Sequence, residues 1–439
     1  MSSDLPFQLR ASDWCITTLG EVCRAGRGDI QTGPFGSQLH ASDYVEEGIP
    51  SIMPQDIVDG RIDPVGIARI TEEDADRLDR YRVKAGDIVY SRRGDIRRRA
   101  LIREAESGWL CGTGCLRVRV GDRSNPSYIA AYLGHPAVQE WIERHAVGAT
   151  MLNLNTGILK ALPIALPDRE EQSRIGGFFD ALNDKIESNR RLAGLLEDTA
   201  ATTFGARFVN FVGAEDLVGS EIGPIPRGWH VGPLTDSMEF LSGGTPRTSN
   251  PAYWGGDVPW ISVKDTLPGP YVTKTERMVT ERALVEARLE RYPANTVLIT
   301  ARGTVGNVAL MAEPMTLNQS CYAVRGRGGV GQLYVFFLLR QVVGKLRTRA
   351  HGSVFSTITR STFDSISVAY PPLEQIDAFE QDAGPSLSLV RGLARESLAL
   401  AAMRDALLPQ IIAGGIRVPQ GSDPEEMIER VNLQGALVP

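Results

Sequence analysis

The chain has 439 residues, of which 42% are hydrophobic and 23% charged, and a formal net charge of -6. This composition is ordinary for a globular protein, and the negative charge argues against general affinity for nucleic acid because duplex binding usually relies on basic residues. No apolar run approaches the roughly 20 residues that cross a bilayer, and no signal-peptide pattern opens the chain. We therefore expect a cytoplasmic protein with no membrane partner.

The chain contains a long internal repeat. Residues 48–57 are echoed by residues 257–266, and residues 87–96 by residues 296–305, both at an offset of 209 positions. Solenoid repeats run roughly 20 to 50 residues, so a period this long predicts a duplicated domain. Further matched segments in the same order are 128–133 with 334–339 and 166–172 with 370–375.

Each repeat predicts the same series of elements. Short β-rich runs such as 87–91 come first, a helical run follows at 128–144 and at 334–350, and a proline-marked entry leads into a longer helix. The expected fold is mixed α/β (α+β), with two similar globular domains separated by two long antiparallel coiled-coil helices in a pseudo-twofold repeat. The expected boundaries are 1–165 for the first domain, 166–204 for the first long helix, 205–228 for a linker, 229–369 for the second domain, 370–416 for the second long helix and 417–439 for a loosely attached tail.

The two long helices carry apolar residues at alternating spacings of three and four. That spacing predicts coiled-coil seams that bury against each other, with Asn189 as a buried polar residue that fixes the register. Pro385 should kink or restart the second helix near Ala383. The alternative is two separate helices that each pack on their own domain. The predicted seam residues are Ile175, Phe179, Leu182, Ile186, Asn189, Leu196, Val390, Leu393, Leu400 and Leu407.

The sequence lacks the motifs of a catalytic or metal centre. Residues 303–306 have neither the Walker nor the dinucleotide-binding spacing, and the five histidines are scattered singly. Cys111 and Cys115 have no second Cys or His pair nearby, so buried or strand-edge thiols are favoured over a zinc site, and the odd number of cysteines favours a reducing compartment. We expect neither catalysis nor a cofactor in this chain.

Polar, arginine-bearing loops occupy equivalent positions in the two repeats but differ in sequence. Arginine can bind guanine bidentately and Asn or Gln can bind adenine, whereas Ser, Thr and Lys mainly contact the DNA backbone. Solvated loops are the alternative, and Arg93 and Arg302 could instead pair with a neighbouring acid. The candidate DNA-binding residues are Ser37, Gln38, His40, Arg92, Arg93, Arg97, Arg98, Thr150, Asn153, Thr245, Arg247, Thr248, Asn250, Lys264, Arg302, His351 and Ser353.

Two strings carry a family resemblance. Residues 243–262 look like the opening of a target recognition domain, and residues 166–175 look like the conserved-region helix, of the specificity subunit of type I restriction-modification systems. The resemblance spans almost the whole chain. It implies two target recognition domains that each read half of a bipartite site in double-stranded DNA, with the two helices setting the gap.

The same resemblance implies the partners. They would be two modification subunits, which bind S-adenosylmethionine and methylate adenine, and restriction subunits that translocate and cleave DNA. The chain itself would then be a non-catalytic reader and scaffold. Two other interpretations stay open at this stage: a self-contained restriction enzyme or methyltransferase, and a purely structural scaffold whose loops do not read DNA.

Overall fold

The chain folds as two similar units. The structure is a computed structural model that describes residues 5–148, 152–266, 269–350, 357–421 and 426. The first unit comprises Met1–Ile186 and Ala399–Pro439, and the second comprises Glu187–Leu398. The expected mixed α/β fold and the duplication are confirmed, since sheets and helices recur in the same order in both units. No helix among the described residues is long and apolar enough to span a membrane.

The first unit contains short strands, short helices and the beginning of a long helix. Its strands are β1 (Cys15–Thr18), β2 (Asp29–Thr32), β3 (Tyr44–Val45), β4 (Ile49–Ile52), β5 (Ile57–Val58), β6 (Arg61–Ile62), β7 (Arg69–Ile70), β8 (Ile88–Ser91), β9 (Arg99–Leu101), β10 (Leu110–Cys111), β11 (Cys115–Arg119) and β12 (Pro163–Leu166). Its helices are α1 (Leu19–Ala25), α2 (Glu72–Arg77), α3 (Pro126–Tyr132), α4 (Pro136–His145), α5 (Thr156–Ala161) and the first part of α6 (Arg169–Phe208).

The second unit repeats this order after a short hairpin. Its strands are β13 (Leu217–Val218), β14 (Ile225–Pro226), β15 (His230–Pro233), β16 (Met238–Ser242), β17 (Trp254–Ile261), β18 (Tyr271–Val272), β19 (Arg277–Val279), β20 (Val297–Thr300), β21 (Val308–Met311), β22 (Thr316–Leu317), β23 (Cys321–Gly326) and β24 (Ser367–Tyr370). Its helices are α7 (Leu234–Ser237), α8 (Glu281–Glu286), α9 (Gln332–Ala350), α10 (Arg360–Asp364) and most of α11 (Leu373–Ile412).

The sheets of the two units share a common strand order, although the second unit adds β18 to one sheet and has no counterpart of β3 in the other. In the first unit the order β2-β11-β8-β9 forms one sheet and β10-β4-β7-β3 another. In the second unit β16-β23-β20-β21-β18 and β19-β17-β22 take the same places. Each unit is closed by an antiparallel pair, β1 with β12 and β15 with β24, directly before its long helix begins. The central strands β8 and β20 are buried along their whole length, as expected for β-rich runs that line a core on both faces.

The repeated aspartate in residues 48–57 and 257–266 has a structural role. Asp56 accepts a hydrogen bond from the backbone N–H of Met53 at 2.7 Å, and Asp265 accepts the matching bond from Ser262 at 2.7 Å. Each carboxylate closes a 3-10 turn immediately after a buried strand. The repeat therefore preserves the caps that hold its turns, because a carboxylate satisfies a backbone donor that a turn leaves unpaired.

The two long helices pair antiparallel within each unit. In the second unit Asn189 of α6 donates to Glu396 of α11 at 2.8 Å, while Arg207 at the far end of α6 pairs with Asp382 at 2.6 Å. In the first unit, Arg404 of α11 donates to Asn183 of α6 at 3.0 Å. Of the predicted seam residues, Leu196 and Leu407 are half-buried and the rest are buried. The alternative of two unpaired helices is therefore wrong.

The expected restart of the second helix at Pro385 is also wrong. Helix α11 is continuous from Leu373 to Ile412. Pro385 lies on the exposed side of the helix, as does Gln381, whose carbonyl loses its usual N–H donor. Water can satisfy that carbonyl, while Ala383 and Leu387 on the opposite side remain buried in the core of the second unit. Packing of the apolar face thus outweighs the local preference of proline.

Three other expectations about the chain path need correction. The predicted run 128–144 is two helices, α3 and α4, because Pro136 starts a new helix whose N-terminus is capped by His135. Helix α6 continues to Phe208, into the predicted linker. The beginning of the predicted tail is held in place: Arg417 pairs with Glu171 at 2.5 Å, and Val418 is buried in the core of the first unit.

Candidate nucleic-acid interface

Two of the candidate loops of the first unit leave one edge of the same sheet. Strand β11 lies between β2 and β8, and both neighbours run antiparallel to it. The backbone N–H of Gly33, just after β2, donates to the carbonyl of Cys115 at 2.9 Å, and Arg92, just after β8, donates to the carbonyl of Gly114 at 2.7 Å. Loops 33–40 and 92–98 therefore begin side by side, although they are far apart in sequence.

The second unit has the same arrangement. Strand β23 lies between β16 and β20, again antiparallel to both. Gly243 donates its backbone N–H to the carbonyl of Cys321 at 3.3 Å, and Ala301 donates to the carbonyl of Ser320 at 2.7 Å. Loops 243–250 and 301–307 thus emerge from the corresponding sheet edge, as the repeat predicts.

A third loop joins the edge in each unit by main-chain pairing. In the first unit Arg93 forms an antiparallel bridge with Asn153, and in the second unit Arg302 forms one with Thr357. In each unit, the loop that contains Asn153 or Thr357 therefore lies against the loop that carries Arg93 or Arg302. Segment 145–155 contains the candidates Thr150 and Asn153, and segment 349–359 contains His351 and Ser353; the described part of each reaches the edge of its own unit.

Arg93 and Arg302 are the most available charges at these edges. Both side chains are exposed, and among the described residues neither forms a side-chain hydrogen bond or ion pair. Each precedes a glycine with positive φ, 74° at Gly94 and 78° at Gly303, which only glycine adopts readily and which turns the loop back toward its sheet. Within the described part of the chain, the repeated Arg-Gly pair thus presents a guanidinium without a side-chain partner at a tight turn, and no acid there pairs with either arginine.

The other arginines of loop 92–98 are less available. Arg97 binds Glu143 of α4 through two hydrogen bonds of 2.6 and 2.7 Å, which hold the pKa of that carboxyl below its usual range. Arg98 contacts Asp95 at 3.2 Å. Arg92 is half-buried, and its Nε has no hydrogen-bond partner in the described structure. To bind a phosphate, Arg97 and Arg98 would have to release these carboxylates, and Arg92 would have to become more exposed.

Loop 33–40 combines a structural residue with exposed ones. The amide oxygen of Gln38 accepts from the hydroxyl of Tyr81 at 2.8 Å and from the backbone N–H of Phe35 at 3.3 Å. Ser37 and His40 are exposed. Phe35, which the candidate residues did not include, has 55% of its surface exposed at the tip of the loop. An aromatic residue in a polar loop that also contains glycine is a sequence signal for base stacking that could have been used.

Loop 243–250 is held against β17 by two indoles. The Nε1 of Trp254 donates to the carbonyl of Arg247 at 3.3 Å, and that of Trp260 donates to the carbonyl of Gly244 at 3.0 Å. Among the candidates here, Thr245 donates to Gln319 and Asn250 caps a turn by accepting from Ala252 at 3.1 Å. The exposed side chains of this loop are Thr245, Arg247, Thr248 and Ser249, and those of Arg247 and Thr248 form no hydrogen bond within the described structure.

A further cation lies beside this loop. The guanidinium of Arg277, on β19, lies 3.3 Å from the ring centroid of Trp254, a cation–π contact that holds an exposed positive charge next to loop 243–250. Sequence reasoning missed Arg277 because only the fold brings β19 alongside β17. Lys264 is exposed in the 3-10 turn after β17. Thr150, His351 and Ser353, which were also candidates, lie outside the described residues.

The described residues do not assemble a metal centre, and two buried cysteines among them are poorly suited to chemistry. No group of three His, Cys, Asp or Glu side chains among them could hold a metal ion. Burial raises the pKa of the Cys111 thiol to about 12 and that of Cys115 well above its usual range. A thiol that resists deprotonation is a poor ligand and a poor nucleophile, so these two cysteines act as small core side chains.

Comparison with known proteins matches both units to one family. Residues 11–197 and 226–381 match the family described as "Type I restriction modification DNA specificity domain". The MjaX specificity subunit of Methanocaldococcus jannaschii, a putative type I restriction enzyme subunit by its description, is 24% identical over 423 residues, covering 92% of this chain and 94% of that protein. The MjaIX specificity subunit of the same organism is 34% identical over 160 residues, 36% of this chain and 37% of that protein.

A solved structure has the same fold. The S subunit of a type I restriction-modification system from M. genitalium superposes with a TM-score of 0.60 at 15% sequence identity, covering 95% of this chain and all of that one. At this identity the likeness concerns the fold alone. It covers both units.

Proposed function

The chain belongs to the family of type I restriction-modification DNA specificity proteins, and we propose that it reads a bipartite DNA site through the two matched loop edges. The loops at the edge of the first unit would read one half-site and those of the second unit the other. Arg93 and Arg302 are the central contacts. Within the family, selection of the DNA target is the role of this subunit.

The main observation behind the proposal is that the two units share the same arrangement of strands but have loops of different sequence. Both edges are built from corresponding strands, and both expose an arginine that has no side-chain partner among the described residues and that precedes a glycine in the left-handed region. The remaining loop side chains differ between the units, with Phe35 and Ser37 on one side and Arg247 and Thr248 on the other. A reader of two different half-sites requires the same scaffold and different chemistry at the base edges.

The proposal includes partners, because the net charge of -6 gives the chain alone little general attraction for DNA. Two modification subunits that bind S-adenosylmethionine would enclose the duplex and methylate adenine, and restriction subunits would complete the assembly. The chain would serve as reader and scaffold and would not catalyse either reaction. The paired helices α6 and α11 provide a long surface on which such subunits could assemble.

The test compares the two arginines in the assembled methyltransferase. The complex of this chain with its modification subunits is first used to methylate genomic DNA, and sequencing of the methylated adenines identifies the split target. Arg93→Ala should then lower affinity for the cognate duplex roughly 10- to 100-fold, since a bidentate arginine contact discriminates by about 1–3 kcal/mol. Arg302→Ala should do the same at the other half-site.

The matched control is Arg123→Ala. Arg123 is exposed like Arg93 but follows the far end of β11, at the opposite edge of the same sheet. It should leave affinity and methylation unchanged. Equal affinity of the unmodified complex for cognate and scrambled duplexes would contradict the proposal. Unchanged binding in both Arg93→Ala and Arg302→Ala would favour a scaffold whose loops do not read DNA.

A further inference from the structure

Arg99 in the first unit is a sheltered cation without an acidic partner in the part of the chain that the structure describes. It lies at the start of β9 in a cavity of about 380 Å³ lined by β9, α3, α6 and α11. Its Nε donates to the carbonyl of Ala130 and its Nη1 to that of Arg97, both at the long distance of 3.4 Å. Among the described residues no carboxylate lies within ion-pair distance of Arg99.

The neighbouring arginines of the cavity do not share this deficit. Each of them has a carboxylate within 3.2 Å. The pairs are Arg61 with Asp184, Arg97 with Glu143, Arg98 with Asp95, Arg103 with Asp180 and Arg404 with Asp405. Arg99 is therefore the one lining arginine whose charge stays uncompensated among the described residues. Burial of a charge without a partner costs desolvation free energy, so buried charges in proteins are usually paired with an opposite charge.

The second unit provides the internal comparison. By strand register, Arg99 of the first unit corresponds to Val308 of the second, since Tyr90 pairs with Arg99 as Ile299 pairs with Val308. The arginine of the second unit comes instead from the helix: Arg340 stands where the first unit has Gly134. The side chain of Arg99 fills the space above Gly134, where an added Cβ would lie 2.2 Å from its Nη2.

The two arginines differ in what neutralises them. Arg340 forms an ion pair with Glu197 of α6. The position of α11 that corresponds to Glu197 is Ala401, since both long helices have 40 residues and run from Arg169 and Leu373. The first unit thus keeps the arginine and lacks the acid. Burial lowers the pKa of Arg99, and the nearby charge of Arg404 lowers it further.

We propose that this cavity binds a small phosphate-bearing anion, with the Arg99 guanidinium as its principal ligand. The fork of an arginine offers two parallel N–H donors that suit a phosphate, and such charge-assisted bonds are shorter and stronger than hydrogen bonds between neutral groups. The second unit needs no such ligand because Glu197 occupies the equivalent role. The site lies at the base of loop 92–98, and the anion could be a free phosphate compound or a phosphate of bound DNA.

The test measures binding of inorganic phosphate and of pyrophosphate to the full chain by titration calorimetry, at an ionic strength kept constant with chloride. We expect binding by the unmodified chain and a loss of affinity of about tenfold or more in Arg99→Gln, because the charged fork supplies the principal bonds. Arg340→Gln, the same change at the corresponding arginine of the second unit, should bind like the unmodified chain. Arg99→Val is a second variant whose residue the second unit already accepts at Val308.

The outcomes separate the source of the phosphate. If saturation of the methyltransferase complex with cognate duplex abolishes phosphate binding, the site takes a phosphate of DNA; if binding persists, it takes a free anion. Both results support an anion site at Arg99. Absence of phosphate and pyrophosphate binding by the unmodified chain, or equal affinity in folded Arg99→Gln and Arg99→Val, would overturn it. An equal loss in Arg340→Gln would overturn it as well.

Discussion

The first and second units cap the helix that follows their sheets in different ways, and the capping residue lies in a different element in each. In the first unit the N-terminus of α3 is capped locally: Asn125 accepts from the backbone N–H of Ser127 at 2.9 Å and of Tyr128 at 3.2 Å. In the second unit the residue at the corresponding place is Gly331. The backbone N–H of Tyr334, on α9, instead donates to Glu380 of the long helix at 2.7 Å.

The long helices carry the complementary change. Glu380 of α11 corresponds to Gly176 of α6, where a Cβ would lie 2.8 Å from the backbone nitrogen of Tyr128 and 2.9 Å from the amide oxygen of Asn125. At Gly331, conversely, a Cβ would lie 2.2 Å from the side chain of Glu380. Each unit therefore has one cap and one glycine, in opposite places. The exchange of Arg99 and Gly134 for Val308 and Arg340 follows the same logic.

These exchanges show that the sheets and short helices of each unit fit only the part of α6 and α11 that belongs to the same unit. The repeat preserves strand order and helix length, but the side chains that join globule to helix are compatible only within a unit. A variant that moves one member of a pair should be damaging, and moving both should be tolerated.

Gly176→Glu should destabilise the first unit by about 3 kcal/mol, because the new side chain would overlap the backbone of α3 and the cap of Asn125. The measurement is the urea-unfolding free energy followed by tryptophan fluorescence. The matched control is Gly177→Glu on the same helix, where a Cβ meets no atom within 4 Å. It should be neutral or slightly stabilising.

Adding Asn125→Gly to Gly176→Glu recreates the arrangement of the second unit and should recover part of the lost stability. If Gly176→Glu and Gly177→Glu destabilised the protein equally, the side chains of the first unit would not be specifically matched to its part of the long helix.

Pro385→Ala should stabilise the second unit by about 1–3 kcal/mol, because alanine restores a helical N–H and removes the ring from the interior of α11. The corresponding residue of α6 is Ala181, so the first unit already contains the better helix former. Ala181→Pro should therefore produce a loss of about 3 kcal/mol in the first unit. Urea unfolding measures both changes. A destabilising Pro385→Ala would mean that the proline has a packing role that its exposure does not indicate.

Removal of either cap should cost about 1 kcal/mol in its own unit, since a lost N-cap leaves backbone donors unpaired. Asn125→Ala should affect the first unit and Glu380→Ala the second, with unit-specific unfolding followed by hydrogen exchange at α3 and α9. Gln375→Ala, at an exposed position on the same long helix as Glu380, should change neither. If both cap variants loosened both helices alike, the caps would not be specific to their units.

Glu380→Gln should have the smallest effect, and its sign should depend on pH. Burial raises the pKa of Glu380 above its ordinary value of 4.5, more than the N–H of Tyr334 lowers it. The folded state therefore binds the proton more tightly than the unfolded state, and the associated stability is present below pH 4.5 and lost as pH rises through the folded pKa. Glutamine keeps the accepting oxygen without the buried charge.

The corresponding measurement is the unfolding midpoint of both proteins from pH 4 to pH 8. Glu380→Gln should remove part of the loss of stability that accompanies rising pH, and at pH 7 this variant should be as stable as the unmodified chain or more stable. Asn125→Asp supplies the opposite control, a charge placed at the equivalent cap of the first unit. A stability profile of Glu380→Gln parallel to that of the unmodified chain would rule out the buried charge as a source of the pH dependence.

Much of the frame was predictable because its signals are local or periodic. The echoed residues 48–57 and 257–266 become the ends of strands β4 and β17 and the turns that follow them. The three-and-four spacing from Ile175 to Asn189 becomes a buried seam, since helical periodicity places those positions on one face. The arginine loops were found from the same repeat. Continuity through Pro385 was not predictable, because tertiary packing decided it.

The sequence by itself determined the duplication, the order of elements, the pairing helices and the loops that carry Arg93 and Arg302, because each of these is written in spacing or in repeated strings. Only the tertiary structure decided which charges remain available. Arg97 is occupied because α4 brings Glu143 within 2.6 Å, and Arg99 has no acidic partner among the described residues because α11 has Ala401 where α6 has Glu197. Such pairings join residues distant in the chain, and their energies depend on distance and burial, which no local pattern encodes.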